Sequence, residues 1–385
     1  MTEHVSHLVI GGGAMGLATA WRLAERGHSP VVLERFARGH GLGASHGAAR
    51  NFNNAYAEPH YLDLLASARQ GWDDLGRTTG EPLLRLHGLA THGDDAAVAE
   101  IATALAARGA HAEVWPSSQA AARWPGMRFD GDVLVSNDAG VVRSEAALRA
   151  MEQATTTHGG DVRFEHRVVA LEDTGDGVDA TVEHAGERYR IHAETVVVTV
   201  GAWTEVVLGA TVALPRLTVT EESPAHFLER KPGAQQWPSF NHLLDPARGA
   251  YPGNVYGMPT PGEGIKVGFH RVGETVDPDE RPFRSTPRLV SLLDDYVREW
   301  MPGLLVEGSA AISCTYTSTD SGDFVLDRRG RIVVGAGFSG HGFKFTPAIG
   351  SVLADLATDP SAAAPAPFRL DRAVSSGQDR PRSAR

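Results

Sequence analysis

The sequence predicts an α/β protein with a discontinuous parallel sheet and a second, α+β domain built on a mixed antiparallel sheet. Three observations predict it. A short apolar strand at 7–10 runs directly into Gly11-Gly12-Gly13-Ala14-Met15-Gly16, followed by a helical pattern over 17–26 that Gly27 is placed to stop. Two further buried strand patterns ending in glycine, 196–201 and 332–337, lie far down the chain, so one sheet collects distant segments. Ahead of the first of these, 163–172, 178–184 and 187–193 alternate apolar and polar residues around Gly/Asp turns, which predicts a three-stranded meander inserted before the strand at 196.

Bulk composition limits what such a chain can do. With 385 residues and 42% hydrophobic content there is material for two cores. A net charge of -11 and a pI near 5.8, without any stretch interleaving Lys or Arg with aromatics, argue against nucleic acid as a partner. The one cysteine, Cys314, excludes an internal disulfide and a Cys-rich zinc site, and no metal site is expected. It also suits a reducing compartment, so a cytoplasmic location is expected. The apolar run over 8–23 lacks a basic start, contains four glycines and continues as Arg22-Leu23-Ala24-Glu25-Arg26, which reads as a helix rather than a leader or membrane span. From about 358 the chain turns rich in Ala, Pro, Ser and Arg, and 373–385 is expected to be a flexible tail.

Each part of the first unit has a physical task. Gly11 permits a tight turn, Gly13 lets a pyrophosphate approach the backbone, and Gly16 lets the helix pack on the strand. A second buried strand at 30–33 ends in Glu34, which can accept from ribose hydroxyls and disfavours a phosphorylated ribose. Strand, helix, second strand and terminal acid together predict a Rossmann-type dinucleotide site. Near the C-terminus, Thr346-Pro347 reads as the N-cap and first position of a helix running to about 357.

The order and wording of these pieces carry a resemblance. Besides the glycine turn, they are Gly43-Ala44-Ser45-His46-Gly47-Ala48-Ala49-Arg50, Arg123-Trp124-Pro125-Gly126, Gly201-Ala202-Trp203, Gly264-Ile265-Lys266-Val267-Gly268-Phe269-His270, Cys314-Thr315-Tyr316-Thr317 and Gly337-Phe338-Ser339-Gly340-His341-Gly342-Phe343-Lys344-Phe345. Over almost its whole length the chain resembles the D-amino acid oxidase superfamily, and within it the monomeric sarcosine oxidase, N-methyltryptophan oxidase and pipecolate oxidase group. The resemblance implies an FAD-binding domain from 1–85, 140–215 and 308–372, and a substrate domain from 86–139 and 216–307. It implies FAD contacts from Gly11, Gly13, Ala14, Met15, Gly16, Glu34, Arg35, Ser45, His46, Arg50 and Val168. Gly201, Trp203, Cys314, Gly340, His341, Gly342, Phe343 and Lys344 complete that set. In the group, a Cys-Xaa-Tyr-Thr cysteine carries the flavin on its sulfur, which would make Cys314 the attachment point; the alternative is an inert buried thiol.

The same resemblance implies catalytic positions. Lys266, between Ile265 and Val267 on an alternating strand, would assist oxygen by stabilising developing negative charge, unless it is a surface lysine at a strand end. His270, on the same strand face, would shape the substrate pocket, or be a satisfied structural histidine. Tyr256 and Tyr316 would be pocket walls, and Lys344 would meet the substrate carboxylate. One departure matters: the group usually has a second arginine three residues after the first, where this chain has Asn53. A charge-assisted bidentate grip is then missing. Arg216 and Arg271 are candidate substitutes, and Thr220-Glu221 stands where the group commonly has Arg-Gln.

The implied activity is oxidation of a secondary amino acid with molecular oxygen, giving imine hydrolysis products and hydrogen peroxide. The substrate would be sarcosine, a bulkier N-substituted glycine or a cyclic imino acid, handled by a monomer. Alternatives are an amine dehydrogenase with another electron acceptor, a glycine-type oxidase of primary amino acids, and a flavin-binding protein without chemistry. A hydrolase has only Gly43-Ala44-Ser45-His46-Gly47 in its favour, and the strand ending at Leu33 is too far upstream for a nucleophile elbow.

Overall fold

A computed structural model describes residues 2–209, 211–244 and 249–371; the expected tail at 373–385 lies outside the described residues. The first strand, Thr2–Ile10, is the centre of an eight-stranded sheet. It pairs in parallel with Val31–Leu33 on one edge and with Glu187–Val198 on the other. Asp161–Arg163 extends the sheet beyond Val31–Leu33, and Ile332–Ala336 pairs in parallel with the far end of Glu187–Val198. Where these strands meet at the centre of the sheet, over 7–10, 31–33, 195–198 and 332–336, every residue is buried, because helices cover that part of the sheet.

Two expectations change at this level. The residues read as the third strand of a meander and the returning sheet strand are one strand, Glu187–Val198. Its first half pairs antiparallel with Val178–His184 while Arg190 to Val198 pair in parallel with Thr2–Ile10. The two edges of a strand choose partners independently, so the meander is continuous with the main sheet rather than inserted into it. Second, Thr346 is not a cap. Its backbone is already helical, the helix Thr346–Thr358 having Pro347 in its first turn, and a single turn of tighter helix, Phe343–Phe345, leads into it. The Thr346 hydroxyl instead donates back to the Phe343 carbonyl at 2.7 Å.

Glycine spacing sets how closely helix and sheet approach. The helix Ala14–Glu25 begins directly after Gly13. A Cβ at Gly16 would come within 1.8 Å of the Gly11 carbonyl oxygen and 2.8 Å of Thr199 Oγ1. Gly11 has φ +100, and a side chain there would meet the Thr199 carbonyl at 2.6 Å. One turn thus touches both its own helix and the end of Glu187–Val198. Ala14–Glu25, Pro59–Thr79, Ser144–Thr157 and Thr346–Thr358 share one core over this sheet.

A second eight-stranded sheet runs in the order Leu304–Ala311, Ala225–Glu229, Gly264–Phe269, Val255–Thr260, Ser239–Leu243, Leu89–Gly93, Val133–Ser136 and Ala112–Trp115. Its pairings are antiparallel except that of Ser239–Leu243 with Leu89–Gly93. The helix Pro287–Trp300 buries Leu293, Tyr296 and Val297 in the core of this sheet. Leu304–Ala311 runs across the boundary expected at 307/308. Leu217–Glu222 leaves the large sheets to pair with Cys314–Thr319, linking the two halves of the chain. No helix among the described residues is long and apolar enough to cross a membrane.

Candidate active site

A cavity of about 710 Å³ extends from the glycine turn of the first sheet to the Lys266 strand of the second. At the turn end it is lined by Gly11, Gly13, Ala14 and Met15, with Glu34, Arg35 and Val168 beside them. Gly16 does not line it; its backbone is spent on the helix–strand contact. Glu34 is held by both carboxylate oxygens, accepting from Gly12 N–H at 2.8 Å and Phe36 N–H at 2.9 Å. Ser45 Oγ accepts from Ala14 N–H at 3.1 Å, across the N-terminus of the first helix. Gly13 has no side chain to cap that helix, and a Cβ there would meet only Ser45 Oγ, at 3.2 Å. Backbone donors and helix dipole therefore face the cavity, an arrangement that favours phosphate. Gly201 and Trp203 line it from a short turn after Val198, and Arg35 joins Trp203 by cation–π contact and Asp279 by an ion pair of 3.0 Å.

The other end is cationic. Arg50 lines the wall, its guanidinium donating to the carbonyls of Ala44 at 2.8 Å, Ala49 at 3.0 Å and His46. His46 Nε2 is buried without a hydrogen-bond partner, and burial, with Arg50 and Lys266 nearby, pushes this imidazole down to about 4. Lys266 sits on Gly264–Phe269 between the buried Ile265 and Val267, so strand alternation turns it to the cavity as expected. Burial, reinforced by Arg50, pushes its ammonium down to about 8. His270 follows the strand end and lines the same wall, with its ring 5.5 Å from Tyr316 and 6.3 Å from Tyr256. Burial first, then Arg271 and Lys344, push His270 down to about 3, so it is neutral at physiological pH. Desolvation raises both tyrosines above the usual phenol range.

Lys344 enters from the Phe343–Phe345 turn. Its Nζ donates to Tyr56 OH and to the His341 carbonyl, both at 2.9 Å, and burial pushes it down to about 7. Gly340, His341, Gly342 and Phe343 line the cavity beside it. Cys314 is buried and lines the cavity near Lys266. Thr220-Glu221 lies on the strand paired alongside it, with Glu221 accepting from Ser313 Oγ at 2.5 Å and pairing with Arg281 at 3.5 Å.

Asn53 also lines the cavity, and its amide is already engaged. It donates to Asn241 Oδ1 at 3.2 Å and accepts from Ala55 N–H at 2.7 Å, while Asn241 donates to Thr91 at 3.3 Å. Arg216 and Arg271, considered as substitutes for the missing guanidinium, do not line the cavity. Both are exposed, and Arg271 donates to the Thr319 carbonyl at 3.2 Å. The sequence reading missed Asn241, which is aligned with Tyr256 only by strand register. It also missed Tyr56, the hydroxyl that holds Lys344.

The fold and cavity define a dinucleotide-binding protein built on two large sheets, with a cation-lined chamber between them. Residues 7–356 match the model of the DAO family, FAD dependent oxidoreductase, and the chain belongs to that family. It is 33% identical to the peroxisomal sarcosine oxidase of Homo sapiens over 96% of this chain and 97% of that one. It is 29% identical to the monomeric sarcosine oxidase of Bacillus sp. (strain NS-129), over 93% of this chain and 94% of the relative. Among solved structures, the amino acid oxidase NikD superposes with a TM-score of 0.85 at 24% identity, covering 98% of this chain and all of that one, a likeness of fold. The open helix N-terminus, the pinned Glu34 and the unpartnered His46 nitrogen fit FAD as the occupant.

Lys266 gives a stability prediction. Its ammonium is favoured in the unfolded chain and disfavoured in the fold, so below about pH 8 the folded protein bears the full cost of keeping it charged. Between about 8 and 10.5 the unfolded chain holds a proton that the folded one has lost, and native stability rises with pH across that window. Lys266→Met is therefore expected to stabilise the flavin-free protein at pH 7 by on the order of 2–3 kcal/mol, with the gain fading above pH 8. Urea unfolding at pH 7 and pH 10 measures both; a variant less stable than the parent at pH 7 contradicts the assignment.

Proposed function

We propose that this protein is an FAD-dependent oxidase of secondary amino acids, acting on an N-alkyl glycine such as sarcosine, a bulkier N-substituted glycine or a cyclic imino acid. The carrying observation is one continuous cavity that joins a dinucleotide turn to two buried lysines and the sole thiol. In the reaction the carbon beside nitrogen gives up hydrogen and two electrons, the imine is hydrolysed by water, and oxygen takes the electrons and two protons to become hydrogen peroxide. Bound FAD supplies the two-electron acceptor between amine and oxygen.

The side chains divide the work. Lys344 supplies a positive charge for the substrate carboxylate; burial lowers its proton affinity, and an anion bound beside it favours the charged form again. Neutral His270 and the un-ionised Tyr256 and Tyr316 make a wall that tolerates an uncharged amine. Lys266 offers a fixed charge where negative charge develops on oxygen, which favours oxygen over a dehydrogenase's external acceptor. Cys314 is proposed to carry the flavin covalently, with Arg50 and Lys266 supplying positive charge nearby. The lone thiol and the lengthwise match to monomeric sarcosine oxidase support a monomer in a reducing compartment such as the cytoplasm.

Two outcomes test this reading. If Cys314 holds the flavin, the yellow colour stays with acid-precipitated protein and moves to the supernatant in Cys314→Ala; full release from the parent protein rules the link out. Asn53 offers only neutral hydrogen bonds and leaves room that an arginine would fill. Asn53→Arg is accordingly expected to lower KM for sarcosine in an oxygen-uptake assay and to raise it for bulky N-substituted glycines. An unchanged ranking of small and large amines means that this position does not select the substrate.

A further inference from the structure

We propose that His92, Asp130 and His242 form a binding site for one divalent transition-metal ion of the zinc type, on the face of the second sheet opposite the FAD cavity. The parallel pairing of Leu89–Gly93 with Ser239–Leu243 sets His92 directly beside His242, with their rings stacked at 4.0 Å. Side chains alternate along a strand, and Asn241 is turned to the cavity, so the two imidazoles stand on the other face. There they meet the ring edges of Phe129 at 5.0 Å and Trp300 at 4.4 Å. Asp130 reaches them from the chain between the helix Ser117–Arg123 and the strand Val133–Ser136.

The donor atoms converge. Asp130 Oδ1 lies 3.1 Å from His92 Nδ1, and Oδ2 lies 3.6 Å from His242 Nε2, with one donor atom from each residue falling within 4.8 Å of the others. A tetrahedral zinc with bonds of about 2.0–2.1 Å spaces its ligand atoms by roughly 3.3–3.4 Å, between those two separations. His242 is 0% exposed and its Nε2 has no hydrogen-bond partner, although it is aimed at the carboxylate. A buried ring nitrogen without a partner is costly, and a metal bond would satisfy it. The other nitrogen, Nδ1, is 3.0 Å from Tyr296 OH, the outer contact that typically fixes the orientation of a ligating histidine. Asp130 is 43% exposed, which leaves an entry path and room for a water as fourth ligand. Two imidazoles and one carboxylate are donors suited to zinc, with nickel or copper as competitors.

The test uses the full-length, tag-free holoprotein, stripped with chelator and titrated calorimetrically with zinc chloride. One saturable equivalent per chain is expected, with a rise in unfolding temperature that the chelator reverses. Asp130→Asn, at a half-exposed position, is expected to keep its flavin and to weaken zinc binding at least tenfold, and His242→Gln to abolish it. Absence of a stoichiometric site in the parent protein overturns the proposal, as does zinc binding that Asp130→Asn leaves unchanged. Should His242→Gln fail to fold, Asp130→Asn and His92→Gln decide the matter by the same titration.

Discussion

Lys266 and Lys344 hold two ammonium groups on the wall of one cavity while remaining only 6% and 5% exposed, and removing such groups from water opposes folding. The surrounding structure reduces that cost in different ways for each. Lys344 has two oxygen acceptors, Tyr56 OH and the His341 carbonyl, and the face of Tyr56 lies 5.4 Å away. Lys266 has Glu263 as a favourable distant charge but Arg50 as an unfavourable one. The consequence is a chamber with a standing preference for electron-rich occupants, which is what a carboxylate-bearing substrate and reduced oxygen require. Stability given up here has a return only in chemistry.

Holding those lysines together takes both sheets. Lys266 comes from the centre of the second sheet, while Lys344 precedes a helix that packs on the first sheet and on Ala14–Glu25. The close contact of Gly16 with Gly11, and of Gly11 with Thr199, brings helix and strand ends to one point. Leu217–Glu222 then ties the second half of the chain to the strand that carries Cys314. The cavity is the gap that remains between these parts, so its shape follows from backbone contacts remote from the reacting atoms.

Local features of this design were legible in the sequence because the residues involved are neighbours in the chain. Strand, glycine turn, helix and Glu34 occupy one short unit, and the alternation around Lys266 gave its direction correctly. What was not legible depends on pairing between distant segments. Nothing in residues 187–198 announces that one strand serves two differently oriented neighbours. Lys344 and Tyr56 meet across most of the chain, and Asn53 and Asn241 across about half of it. Arg216 and Arg271 carry the right charge for a carboxylate, yet both lie at exposed positions off the cavity wall. The stacking of His92 on His242 rests likewise on strand register.

The most direct test of the account is anaerobic mixing of the purified yellow protein with secondary amino acids, followed by admission of oxygen. Sarcosine, bulkier N-substituted glycines and cyclic imino acids form the panel, and flavin absorbance is the readout. The account predicts that at least one of these amines bleaches the flavin completely, and that oxygen alone restores the colour with one hydrogen peroxide formed per flavin. Absorbance that survives every amine, or that returns only with an artificial electron acceptor, would contradict it.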